Sequence, residues 1–263
     1  MIVFVSDVHG AFGPLGRLVR RGDPVVILGD LANLTDYRTG EGAVAEVLGI
    51  EFAREAARAR GWNDYGAMRA LWSDHVGDRI EDVRVDIGKA ISTQYERAAA
   101  ELDGGEGWVI HGNVDHPEAL VACLPESFEY AHGATVEAEG LRIGLVGGGT
   151  VTPLRARGEV SDDDMERMLH DLGPVDVLCT HVPAAVRALR HDVVTGRQER
   201  GSEPVLGYIR RHRPKYHLFG DVHQAQATTW RVGPTICLNA GYFRATGRFL
   251  ALRDGVVRAG RIG

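Results

Sequence analysis

Five short apolar runs in this 263-residue chain end in the same way. Each closes on a small residue and then on a side chain able to ligate a metal. They read IVFVSDVHG (Asp7, His9), VVILGD (Asp30), WVIHGNVD (Asn113), VDVLCTH (His181) and YHLFGDVH (Asp221, His223). Three carboxylates, three imidazoles and one amide are ligand enough for two cations. Two cations about 3.5–4 Å apart suit in-line displacement at phosphorus, because they clamp the attacking and leaving oxygens together. Water bridging such a pair loses a proton readily and becomes the nucleophile.

Residues so far apart in sequence meet only if the elements before them are aligned. Open α/β sheets place their sites beyond the carboxyl ends of strands, which brings distant strand ends into one crevice. Residues 2–5, 25–28, 108–111, 134–138, 141–146, 175–179, 216–219, 235–238 and 248–253 read as strands. Leu15, Leu18 and Val19 mark a helix between the first two, giving a compact βαβ unit. Residues 161–172 and 203–212 read as helices. Asp115 and Glu118 match a capping box, which predicts a helix starting just after Asn113 with Asp115 as its cap. The tract from about 38 to 105 differs from the rest. It is rich in Ala, Arg and Glu and helical in period, with Tyr65, Met68, Leu71, Trp72, His75 and Val76 on one face. Ile80, Val83, Ile87, Ala90 and Ile91 mark another, so the stripes are expected to form a core of their own. Residues 190–203, polar and Gly-containing, are expected to be disordered.

The five motifs, in this order, resemble the calcineurin-like metallophosphoesterase superfamily. Its pattern runs D-x-H, G-D, G-N-H-[DE], H and G-H-x-H, each at a strand end. The resemblance implies an α/β fold of two mixed β-sheets packed face to face with helices outside. Residues 1–263 would form a single domain carrying the helical insertion. It also implies that Asp7, His9 and His223 hold one metal, that Asn113 and His181 hold the other, and that Asp30 bridges them. The mixed donor set favours Mn, with Fe, Zn or Mg as alternatives. The expected function is hydrolysis of a small phosphorylated substrate. A low-activity binding scaffold of the same fold is the alternative.

Two positions depart from the family pattern. Val114 stands where the family has a histidine near the leaving group, and valine donates no proton. Phosphodiesters or nucleotides are therefore slightly favoured over monoesters, and His116 is the candidate replacement acid. Asp221 replaces the first histidine of the last motif. Aspartate still coordinates, but the charge changes. Two divalent cations against Asp7, Asp30 and Asp221 leave +1, where two aspartates would leave +2. A protein Ser/Thr phosphatase is disfavoured, because Gly29-Asp30 continues as Leu-Ala-Asn-Leu and not as Asp-Arg-Gly.

Other residues complete the candidate site. The loop Gly147-Gly148-Gly149-Thr150 lacks the Lys-Ser/Thr ending of a nucleotide P-loop, but Gly148 is expected to allow close approach of the backbone to substrate. Arg155 is expected to meet the phosphate. His111 is a weaker candidate; His75, His132, His170, His212 and His217 read as surface or packing residues.

The formal charge of −6 disfavours a broad nucleic-acid footprint. No run has the length and purity of a membrane span. Cys123, Cys179 and Cys237 show no CxxC spacing and read as free thiols in a reducing compartment, so a cytoplasmic protein is expected. The insertion is expected either to cap the site or to form a homo-oligomer face.

Overall fold

The computed structural model describes residues 1–61, 64–193 and 196–262. Its frame is a pair of six-stranded mixed sheets. Counting only their strands, the chain up to Val146 supplies β1 (Ile2–Val5), β2 (Val25–Leu28), β3 (Gly107–Ile110), β4 (Phe128–Tyr130), β5 (Ala134–Ala138) and β6 (Leu141–Val146). The remainder supplies β7 (Val177–Thr180), β8 (Tyr216–Phe219), β9 (Thr229–Val232), β10 (Thr235–Asn239), β11 (Arg248–Arg253) and β12 (Val256–Arg261). One sheet has the order β12-β11-β1-β2-β3-β4, the other β9-β10-β8-β7-β6-β5. Strands β1 to β4 are mutually parallel, as are β6, β7, β8 and β10. Antiparallel strands complete the edges.

The near-continuous apolar runs follow from burial on both faces, as parallel sheets require. Ile2, Phe4, Val26 and Leu28 point between the sheets, against Ile143, Leu145, Val177, Cys179 and Leu218. Their neighbours Val3, Val5, Val25 and Ile27 point outward, under helices α1 (Phe12–Val19) and α5 (Ile80–Leu102). The outer face of the second sheet is covered by α7 (Asp162–Leu172) and α8 (Glu203–His212). The layers are thus helix, sheet, sheet, helix.

Between β2 and β3 lie α2 (Ala43–Leu48), α3 (Ile50–Gly61), α4 (Tyr65–Val76) and α5. Their apolar stripes do not form a separate core. Phe52, Met68, Val76, Val83, Ile87 and Ile91 belong to the same buried cluster as Val3, Val5 and Leu15. Helix α5 has 23 residues, long enough to serve the insertion at its start and the sheet at its end. Tyr95, Ala98 and Leu102 are the residues it buries there.

Three strands of these sheets have no counterpart in the sequence reading: β4, β9 and β12. Strand β9 is mostly exposed and β12 alternates exposed with half-buried positions, so neither carries an apolar run. The helix after Asn113 starts later than the capping box predicts. Helix α6 is Pro117–Cys123, its N-cap is His116, and Asp115 is no cap. Proline fits the first helical turn, where its missing N–H is not needed. Most of 190–203 is ordered rather than disordered: Asp192 is buried, and His191–Asp192 pairs with Arg197–Gln198. Residues 194–195 lie outside the described residues. Cys179 and Cys237 are buried free thiols. Among the described residues, no helix is long and apolar enough to cross a membrane.

Candidate metal centre

The strand ends that carry the motifs turn sharply. Asp7, His9, Asp30 and Asp221 take φ of 56°, 41°, 53° and 65°, in the left-handed region that non-glycine residues seldom adopt. Such backbone strain persists where surrounding structure over-determines it, and it clusters at functional sites. Two glycines make the crowding feasible. A Cβ at Gly112 would overlap the Asp30 carboxylate, and one at Gly220 would overlap Ser6 and Asp7.

The ligand atoms converge in two overlapping groups. Asp7, His9 and His223 form one, and Asp7, Asp30 and His181 the other, each with its atoms within 4.8 Å of one another. His9 Nε2 lies 3.2 Å from His223 Nε2, and His223 Nε2 lies 3.2 Å from Asp7 Oδ1. Asp30 Oδ2 sits between the groups, 3.6 Å from His9 Nε2 and 3.5 Å from His181 Nε2. Asn113 Oδ1 is 3.1 Å from His181 Nε2. Asp221 Oδ1 is 3.8 Å from the same nitrogen.

Neighbouring groups aim these side chains. His181 Nδ1 donates to Leu28 O at 2.8 Å, and His9 Nδ1 donates to Ala32 O at 3.2 Å. A carbonyl only accepts, so the proton of each neutral ring sits on Nδ1 and the Nε2 lone pair faces the centre. The backbone N–H of Asp221 donates to Asp7 Oδ2, and that of Val114 to Asp30 Oδ1, each at 3.1 Å. Tyr242 stacks on His223, with ring centroids 4.0 Å apart. Its hydroxyl donates to Asp36, which also receives Arg244 at 2.7 Å. Arg244 in turn donates to His9 O at 2.6 Å.

The carboxylates and imidazoles polarise one another. Burial opposes the ionised form of Asp7, but hydrogen bonds from His223 and His9 hold it far below the usual carboxylate range. Asp30 is likewise lowered, against burial, by His181 and His9. The reciprocal charges raise His9 and His181, against burial. Asp221 goes the other way: removal from water, with Asp7 and Asp30 nearby, pushes it up to about 7. Ring nitrogens of three imidazoles and the oxygens of buried carboxylates thus gather at common centres. That donor set fits divalent cations, which would satisfy both kinds of ligand at once.

Asp115 does more than its sequence position implies. It is fully buried and accepts from Leu31 N, Ala32 N, Gly112 N and the Tyr95 hydroxyl at 2.8–3.3 Å. Burial and the Asp30 charge push its carboxyl up; the Gly112, Ala32 and Tyr95 donors pull it back. Asp115 thereby clamps the Asp30 loop to the Asn113 loop. Tyr95 adds the insertion to the clamp, since its hydroxyl also accepts from His116 N at 2.8 Å.

The other sequence candidates sit apart from the ligands. His116 lines a separate cleft with Arg84, Lys89, Ser92 and Arg157, and burial with the Arg157 charge lowers its pKa. His111 Nδ1 shares a hydrogen bond with the Tyr130 hydroxyl at 2.7 Å, and burial followed by the His132 charge brings its pKa down to about 3. His132 Nδ1 accepts from Gly147 N at 3.0 Å, so this pair supports the glycine loop from behind. The Gly148 N–H donates to His111 O, with φ of 101°. Arg155 is exposed.

A crevice of about 240 Å³ is lined by two of the candidate ligands. Asn113 and Asp221 form its floor, and Gly149, Thr150 and Thr152 one side. Its basic lining residues are Arg60 and Arg200, and Tyr65 is its aromatic one. Burial works against the Arg60 cation, but Tyr37, Tyr65, Glu199 and Asp221 hold its pKa above that of an ordinary arginine. The sequence carried no motif for these rim residues. Tyr242, Arg244 and Asp36 also went unread, for the same reason.

The sequence model of the calcineurin-like phosphoesterases matches residues 1–225. Among solved structures, that of TT1561 of Thermus thermophilus is similar, with a TM-score of 0.57 at 14% identity. The likeness covers 99% of this chain and 97% of that one, and at such identity it is a likeness of fold. No curated protein matches the sequence.

Proposed function

Since the chain belongs to the calcineurin-like phosphoesterase family, matching it over residues 1–225, we propose that it hydrolyses a small phosphate ester with two divalent cations. The observation that carries this reading is the convergence of Asp7, His9, Asp30, His181 and His223 into two groups that share Asp7. Bound there, two cations would activate water and neutralise charge on the phosphoryl oxygens. Asp7, His9 and His223 would hold one; Asn113, His181 and Asp221 the other; Asp30 faces both. Manganese suits the mixture of carboxylate, amide and imidazole best.

The chain's own residues then decide which ester reacts. Asn113, on the crevice floor, faces a phosphoryl oxygen with its amide. Val114 supplies a backbone N–H to Asp30 but no acid for the departing oxygen. Leaving groups that depart without full protonation are therefore favoured, and phosphodiesters or nucleotides come ahead of alkyl monoesters. The test is metal analysis of the Mn-loaded protein, paired with aryl phosphodiester and phosphomonoester hydrolysis. Two ions per chain and turnover of the diester are expected. A protein that binds no metal, or binds it without hydrolysing either ester, would overturn the proposal.

Val114 gives a sharper version of the same test. Its link to Asp30 runs through backbone, so Val114→His leaves that hydrogen bond available. The variant should show a shallower dependence of rate on phenol pKa across an aryl phosphodiester series. General acid catalysis is typically worth about 10²–10⁴-fold, which leaves room for a measurable change with the poorest leaving groups. Equal slopes, with the new imidazole seen to reach the leaving oxygen, would contradict the role given to Val114.

A further inference from the structure

We propose that Arg60, carried by the insertion, binds the substrate phosphate and makes up for the negative charge that Asp221 adds to the ligand set. The inference rests on the phosphoesterase reading above.

Two observations support it. Arg60 lines the same crevice as Asn113 and Asp221, so its guanidinium and the ligand floor face one substrate-sized space. That space is about 240 Å³, below the ~300 Å³ at which drug-sized pockets begin, which fits a small ester. Second, the guanidinium carbon lies 5.7 Å from the centroid of the Tyr65 ring, also in the lining. Stacking of this kind orients the planar fork, whose edge carries the donors.

The charge argument gives Arg60 its purpose. Two divalent cations with Asp7, Asp30 and Asp221 leave +1, one less than a centre with a neutral ligand at position 221. A guanidinium at the rim brings positive charge close to Asp221, beside Glu199 and Glu159 of the same lining, and presents donors with the geometry of phosphate oxygens. Tyr65 lies beside it on the wall, so the ester group next to the phosphate meets an aromatic surface.

The test titrates inorganic phosphate into the Mn-loaded protein by calorimetry, with KM and kcat for an aryl phosphodiester measured in parallel. Arg60→Gln should bind phosphate about tenfold to 100-fold more weakly, the range for losing a hydrogen bond to a charged group. KM should rise while Mn stoichiometry stays at the wild-type value. In an Asp221→His background the same change should cost less than in wild type, because the charge it offsets is gone. If Arg60→Gln fails to fold, Arg60→Met serves, with the same losses expected. Phosphate affinity and KM equal to wild type in a folded, Mn-loaded Arg60 variant overturn the inference. So does an equal penalty in the two backgrounds. A wild-type protein that takes up no Mn, or takes it up without turnover, instead sinks the phosphoesterase reading on which the inference stands.

Discussion

The floor of the crevice and its rim are built on opposite principles. The floor is Asn113 and Asp221 together with the cluster behind them: there Asp7, His9, Asp30 and His181 are buried and leave parallel strands, and backbone groups or other buried side chains fix their positions. At the rim, Arg60 and Tyr65 come from an insertion and Gln198, Glu199 and Arg200 from a short hairpin region. The floor has little freedom, since a ligand that moves must break several hydrogen bonds. At the rim Arg60, Tyr65 and Glu199 are only half-buried, and Gln198 and Arg200 are exposed. Chemistry common to a family belongs on the first kind of surface, and selection among substrates on the second.

The largest test of this contrast is at its centre. Asp30 faces both ligand groups, so Asp30→Ala should remove a ligand from each. Turnover should fall by about 10³-fold or more, with lowered metal content. Metal analysis beside a diester assay decides it. Retention of two ions and of most activity would show that the floor tolerates what the geometry says it cannot.

Asp115→Asn should have the next largest effect, although Asp115 is in neither ligand group. Four donors converge on its carboxylate, and an amide would turn N–H toward N–H. Leaving buried donors unpaired costs about 1–3 kcal/mol each. The Asp30 and Asn113 loops should then separate, with metal affinity falling about 10–100-fold. Denaturant unfolding and a Mn titration read the two effects separately. Weaker metal binding is the informative one, because a helix cap alone would not produce it.

Asp115 also shows where sequence reading stops. The ligand motifs were legible because each joins a short β-branched run to a Gly or a small residue and then to a side chain with chemistry. The sheets were legible for the same reason, apart from edge strands such as Thr229–Val232 that carry no apolar run. Asp115 was misread because Glu118 stands three residues on and completes a capping box. Its real partners, Leu31 and Ala32, lie 84 and 83 residues away. Tyr242 and Arg244 reach His223 and His9 from 19 residues or more beyond the last ligand, and no local pattern marks them. The stripes of the insertion were visible, but not the surface they cover. Periodicity names a buried face and leaves its partner open.

A smaller effect follows from pH. The pKa values of His9 and His181 are raised above 6.5, and that of Asp221 is raised from 3.8 to about 7. All three hold protons more tightly folded than unfolded. Their contribution is complete below the unfolded values and is lost as pH rises through the folded ones. Asp7 and Asp30 are lowered from 3.8, so theirs is lost only in acid. Metal-free protein should therefore melt at a lower temperature at pH 8 than at pH 6. Cations compete with these protons, so added Mn should raise the melting temperature more at pH 8. A metal-free melting temperature that climbs over this interval would contradict the polarisation of the floor.

The smallest expected effect tests whether floor and insertion are mechanically joined. Tyr95 lies on α5, and its hydroxyl donates to Asp115 at 3.0 Å while accepting from His116 N at 2.8 Å. Tyr95→Phe keeps the buried ring and removes only those two bonds. One bond has a charged partner, so a loss of about 2 kcal/mol in stability is expected. Metal affinity should change little, because Leu31, Ala32 and Gly112 still hold Asp115. The discriminating measurement is a double-mutant cycle with Asp115→Asn. Residues that share a hydrogen bond couple by about 0.5–3 kcal/mol, whereas separate ones add. Coupling in stability would mean that α5 is anchored through the clamp under the metal centre. Additive losses would mean that it is held by apolar packing alone, and the rim it leads to would then be free to move independently of the floor.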